Sequence, residues 1–232
     1  DAYNATRTDC RLRPHDEIKP AVGNVFRDFL VVRPRRFGIW LSSTTDTLVE
    51  NATVYAGESD GFVADERGDG PYEELPGGAS FILRNSLIVD CAGAGVRTSY
   101  PTWHVQDSAI SGNAEGNIVP SGPAAEADDH LQNVQEVAPT DIGLQEGQCI
   151  VYVPDTSNMS GAGASGSDIG ANVIYRYIDG KLTDEPLWDP GTRAFPHGAT
   201  VEGISDIAGD SLFDVHTRLN VNCNGSALPY AR

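Results

Sequence analysis

The sequence predicts an all-β chain wound as a parallel β-solenoid, and three observations carry that prediction. The first is an internal repeat. Phe26-Arg-Asp-Phe-Leu-Val31, Val49-Glu-Asn-Ala-Thr-Val54, Leu83-Arg-Asn-Ser-Leu-Ile88 and Val105-Gln-Asp-Ser-Ala-Ile110 superpose, with successive offsets of 23, 34 and 22 residues. Each begins apolar, carries Asp or Asn in third place and ends on a β-branched residue. The second is the lack of any stretch of about 10 residues or more with helical 3.6-residue periodicity before residue 120. The third is composition: 25 glycines and 14 prolines among 232 residues favour turns over helix. A coil of this length cannot bury its apolar side alone. It stacks on its neighbours about 4.8 Å away, like residue on like residue. A leucine-rich repeat has a similar period, but its leucine frame is missing.

In chain order, residues 1–23 form an N-terminal segment, either a cap on the first coil or an end left open to another molecule. Residues 24–118 hold the regular coils. Three columns run through them, Phe26/Val49/Leu83/Val105, Asp28/Asn51/Asn85/Asp107 and Val31/Val54/Ile88/Ile110. A turn residue then recurs at Gly38, Gly61, Gly95 and Asn117, followed at once by Ile39, Phe62, Val96 and Ile118. The longer middle interval carries an insertion over 65–78. Residues 119–190 read as a less regular continuation, with a short helix over Asp129–Val137, a strand over Cys149–Pro154 and a strand plus turn over Asn172–Gly180. Residues 191–232 read as an extended C-terminal tail or cap.

The coils Phe81–Val96 and Trp103–Ile118 resemble the right-handed parallel β-helix repeat proteins, and Gly161–Asn172 running into Tyr175–Trp188 resembles the end of exported bacterial surface members. The resemblance spans roughly residues 24–190. It implies an all-β right-handed parallel β-helix with an irregular extended C-terminal segment. The group includes polysaccharide lyases and hydrolases, phage tailspikes, adhesins and surface proteins, so the fold does not choose an activity.

Thirty-three acidic residues against 16 basic ones give a net charge of −17, which argues against binding a nucleic acid backbone. No apolar run approaches the roughly 20 residues that cross a bilayer. The chain begins at Asp1 without Met or an apolar leader and reads as a mature, processed product. Cys10, Cys91, Cys149 and Cys223 are an even set with no CxxC pairing, which suits disulfides in an exported protein; buried free thiols are the other reading. Sequons at Asn4, Asn51, Asn158 and Asn224 offer glycosylation in a host that performs it. The expected location is therefore secreted, extracellular or at the cell surface.

For chemistry, the insertion is the leading candidate. Asp65, Glu66, Asp69, Tyr72, Glu73 and Glu74 form an acidic, aromatic-bearing loop on a rigid scaffold, where binding groups are commonly carried. Its oxygens suit calcium, although the spacing matches no EF-hand or nonapeptide loop, and a solvated acidic loop is the plainer reading. Beyond calcium no cofactor is expected. The Asp28/Asn51/Asn85/Asp107 column reads as a stacked side-chain ladder at the coil corners, with a metal or sugar site as the alternative. Because Asn51 is also a sequon residue, ladder and glycan compete for it. Arg27/Glu50/Arg84/Gln106 alternates in charge along one face and reads as axial pairing between coils. Arg33, Arg35 and Arg36 form the one basic cluster, suited to ion pairs or an acidic partner, and Asp128-Asp129-His130 reads as a polar turn.

The sequence has no Ser/His/Asp elbow, P-loop or dinucleotide fingerprint. It points to an extracellular structural or adhesive protein, the subunit of a self-assembling surface filament, whose partners are further copies of itself or a polysaccharide. A polysaccharide lyase or hydrolase, or a glycan-binding module without turnover, is the alternative.

Overall fold

Each repeat unit sets apolar residues at alternate positions on both sides of an Asp or Asn, the pattern of two short strands meeting at a corner. The computed structural model describes residues 21–42, 44–65, 78–122, 130–145, 150–171, 175–178 and 181–186. There the units stack as a parallel β-solenoid of about four turns. The first turn holds β1 (Ala21–Val22), β2 (Val25–Val32) and β3 (Ile39–Ser42). The second opens with β4 (Thr44–Thr45), stacked on β1, and continues with β5 (Thr47–Tyr55) and β6 (Phe62–Asp65); the third holds β7 (Ser80–Arg84), β8 (Leu87–Val89) and β9 (Val96–Thr98). The fourth holds β10 (Thr102–Gln106), β11 (Ala109–Ser111) and β12 (Ile118–Pro120), and β13 (Leu131–Gln132) begins a fifth.

The pairing register follows the sequence columns residue for residue. Phe26, Val49, Leu83 and Val105 are partners in turn, as are Val31, Val54, Ile88 and Ile110, and Ile39, Phe62, Val96 and Ile118. These inward positions make one apolar core in which Phe62, Phe81 and Tyr100 succeed one another, with ring centroids 4.9 Å and then 6.0 Å apart. Two of the columns are halves of a single contact. A Cβ on Gly61 would lie 2.4 Å from Ile88 Cγ2, and one on Gly95 would lie 2.4 Å from Ile110 Cγ2. The turn glycine of one coil thus makes room for the β-branched residue of the next.

The short helix expected over Asp129–Val137 does not form in the described part of that stretch. Leu131 and Gln132 add to β10, Asn133 takes a left-handed φ of 51°, and Gln135 bridges Ala109. Strand pairing onto the exposed edge of the fourth coil outweighs the weak local helix preference. Past Gln135 the parallel pattern stops. β14 (Gly143–Gln145) pairs antiparallel with β15 (Ile150–Tyr152), and β16 (Tyr175–Ile178) with β17 (Lys181–Pro186). No α-helix occurs among the described residues, and no helix there is long and apolar enough to cross a membrane.

Residues 150–171 run along the outside of the coils as a strap. Val153, Met159 and Ile169 cover Leu87, Val89 and Ala109, the outward-facing members of β8 and β11, and Val151 packs beside Val32. The strap has almost no regular structure of its own, so it is held by this apolar contact and by hydrogen bonds to the coils.

Candidate functional site

The third-place Asp/Asn column sits at a corner that needs left-handed backbone. Asp28, Asn51, Asn85, Asp107 and Asn133 have φ of 54°, 52°, 48°, 48° and 51°. Asn and Asp tolerate that conformation better than other residues bearing a Cβ. Their side chains then stack. Asn51 Nδ2 donates to Asp28 Oδ1 (2.8 Å), Asn85 Nδ2 to Asn51 Oδ1 (2.9 Å), and Asn133 Nδ2 to Asp107 Oδ1 (2.9 Å). The ladder breaks between Asn85 and Asp107 because an ionised carboxylate has no hydrogen to donate to the Asn85 carbonyl. Ala164 N in the strap donates to that oxygen instead, at 3.2 Å.

One residue earlier, the charged column closes along the axis. Arg27 Nε donates to Glu50 Oε2 (2.7 Å) and Arg84 Nε to Glu50 Oε1 (2.8 Å), so one carboxylate, 16% exposed, holds two guanidinium groups from adjacent coils. On another side, Arg97 binds Asp60 through Nε and Nη2 and reaches Glu115 (2.6 Å). The Asp60 hydrogen bond raises the already high pKa of Arg97. Asp60 Oδ1 also accepts from Ala94 N at 2.6 Å.

The strap and the two columns together enclose an open cleft of about 580 Å³. Asp28, Glu50, Asn51, Arg84 and Asn85 form its floor, and Ala164, Ser165, Ser167, Asp168 and Gly170 form the opposite rim. The rim is fixed at both ends. Asn85 Nδ2 donates to Asp168 O (2.9 Å), Gly170 N to Asn85 O (2.9 Å) and Ala171 N to Thr53 Oγ1 (2.8 Å). Within the strap, Asp168 Oδ1 accepts from Ser160 Oγ (3.0 Å) and Gly161 N (2.9 Å).

Of the acidic loop expected to bind, Asp65 is described: it ends β6, and its Oδ1 accepts from the indole of Trp40 at 2.6 Å. Glu66, Asp69, Tyr72, Glu73 and Glu74 lie outside the described residues. Asn51 is a ladder rung whose amide nitrogen is already donating, while Asn158 is exposed, with Oδ1 accepting from Thr140 N at 2.8 Å. Asn4 and Asn224 lie outside the described residues, as do Cys10, Cys149 and Cys223. Cys91 is a buried free thiol inside the third coil, and burial pushes its pKa up to about 11. Arg33, Arg35 and Arg36 are exposed at the turn after β2. His130 is buried and stacks on Trp103 with centroids 4.2 Å apart; Asp128 and Asp129 lie outside the described residues. Among the described residues no group of three or more His, Cys, Asp and Glu is placed to hold a metal ion.

Ser165, Ser167 and Asp168 carry no local mark of a site in the sequence. The pairings that bring the strap to the coils span 79 to 118 residues, and no periodicity reaches across that distance. Compared with known proteins, the chain matches no family model, no curated protein and no solved structure.

Proposed function

We propose that the protein is an extracellular structural or adhesive β-solenoid that serves as the subunit of a self-assembling surface filament. One observation supports this reading above the others. Two groups of charged side chains on the described coils are bound to one another along the axis, Arg27 and Arg84 on Glu50, and Asp60 and Glu115 on Arg97. Such groups hold coils in register. A hydrolase needs instead two carboxylates left free across a cleft, one of them protonated. The sequons support export, and the net charge of −17 keeps separate copies soluble until specific contacts form.

Negative-stain electron microscopy of native material tests the filament. Regular fibres with a fixed axial repeat uphold it, and discrete particles at all concentrations overturn it. Release of new chain ends from a polysaccharide would replace the structural reading with a lyase or hydrolase. Calcium at the 65–78 loop belongs to the same proposal; a melting temperature unmoved by calcium or by chelator refutes it.

A further inference from the structure

The cleft between the axial columns and the strap has a chemistry that narrows what it accepts. Asp28, Glu50 and Asp168 line it against one guanidinium, Arg84, so an acidic ligand meets repulsion there, reinforced by the charge of the whole chain. A bare cation is poorly matched as well, because Glu50 is held by two arginines and Asp168 Oδ1 by Ser160 and Gly161. An apolar ligand would find little beyond Ala164 and Gly170. What the cleft does offer is donors and acceptors side by side: the second oxygen of the exposed Asp28 carboxylate and the second N–H of the Asn51 amide on one wall, and on the other the Ser165 hydroxyl and the Ser167 hydroxyl oxygen, whose proton goes to Ala164 O. A hydroxyl both donates and accepts, so neighbouring hydroxyls on a ligand can satisfy such a mixed wall in pairs. The volume falls within the roughly 300–1,000 Å³ of small-ligand sites.

We propose that this cleft binds a neutral polyhydroxylated ligand, a sugar residue of an uncharged glycan. Asp28 and Asn51 receive adjacent hydroxyls from the coil side, and Ser165 and Ser167 close on the opposite edge. The inference rests on the adhesive half of the proposed function and supplies the chemistry that half would recognise.

The test is isothermal titration calorimetry of the full chain with neutral gluco-, manno- and galacto-oligosaccharides, and with oligogalacturonate as the acidic counterpart. At least one neutral sugar is expected to bind, with oligogalacturonate weaker by about tenfold or more. Ser167→Trp, which puts an indole into the cleft from an exposed position and gives up only the exposed hydroxyl bond to Ala164 O, should weaken binding about tenfold while the chain still melts cooperatively. Asp28→Asn keeps a residue that tolerates the left-handed corner and should weaken binding about fivefold. No neutral sugar bound, acidic sugar bound equally well, or binding indifferent to both variants each overturns the inference. Fibres with an inert cleft would leave the structural reading standing and this one refuted. Sugar binding by discrete particles would do the reverse.

Discussion

A Cβ on Gly95 would lie 2.4 Å from Ile110 Cγ2 and 2.6 Å from the Asn117 carbonyl oxygen, well inside van der Waals contact. Gly95→Ala should therefore destabilise the protein by about 3 kcal/mol in a denaturant titration, the range of overpacking in a close-packed core. The Gly95→Ala/Ile110→Ala double variant should lose less than the sum of its two single variants, since Ile110→Ala removes the Cγ2 that meets the new methyl. Gly166→Ala is the comparison. It has a φ of +79° but nothing within 4 Å, so it should lose only the left-handed penalty of about 1 kcal/mol. Asn117 escapes the rule because the next coil has no β-branched residue above it; Asn117 Nδ2 instead donates to Glu136 Oε2 at 3.0 Å. Cys91 makes a second prediction. Burial pushes its thiol pKa up to about 11 in the folded chain, from 9.0 for an unburied thiol, so the folded state keeps the proton longer than the unfolded state does. Its contribution is fully present below about pH 9 and is lost as pH rises toward about 11. Cys91→Ser should flatten that part of the stability–pH curve, which thermal melts between those pH values would record. A steepened curve would refute the assignment.

At the scale of elements, the Asn/Asp column sets both the corners and the place where the strap attaches. Asp107→Asn would supply the missing donor to Asn85 Oδ1 while keeping an acceptor for Asn133. The ladder would then run unbroken through five coils. The coils should gain about 0.5–1 kcal/mol, one net hydrogen bond. The new donor would share Asn85 Oδ1 with the Ala164 amide, which should then be held less tightly and exchange faster with solvent by hydrogen–deuterium exchange. Unchanged exchange at Ala164 would mean that the ladder break does not position the strap. This column, the Arg27–Glu50–Arg84 pairing and the three apolar columns were all legible in the sequence, because a coil stacks on its neighbour at a nearly constant interval and the residue types repeat with it. A second left-handed corner was not legible. Arg33, Ala56, Asp90 and Gly112 have φ of 51°, 52°, 58° and 69°, yet they share no residue type, since strand pairing on both sides forces the conformation there. The fifth coil was hidden for a related reason. Leu131 follows Val105 by 26 residues, and Gln135 and Glu136 replace the β-branched ending that defines the other four repeats.

For the whole molecule, the coils and the strap differ in the range of their contacts. Neighbouring coils pair at separations of 22 to 34 residues, whereas the strap reaches Asn85 and Thr53 across 79 and 118. Longer loops must close before those contacts form, so the strap should dock after the coils have stacked and open before they separate. Ile169, fully buried against Leu87 and Val89, is the residue to change. Ile169→Ala removes apolar volume from the seam and leaves the core between the coils untouched. It should lower the strap's opening free energy by about 2–4 kcal/mol. Hydrogen exchange should then quicken at Gly170 and Ala171, whose amides bind Asn85 and Thr53, while Val96 and Phe62, paired between coils, keep their protection. Leu83→Ala, in the coil core, should instead lower protection everywhere. If Ile169→Ala slowed or quickened all amides equally, strap and coils would unfold as one cooperative unit. The cleft would then be a fixed feature of the fold, with no edge that opens independently of the coils.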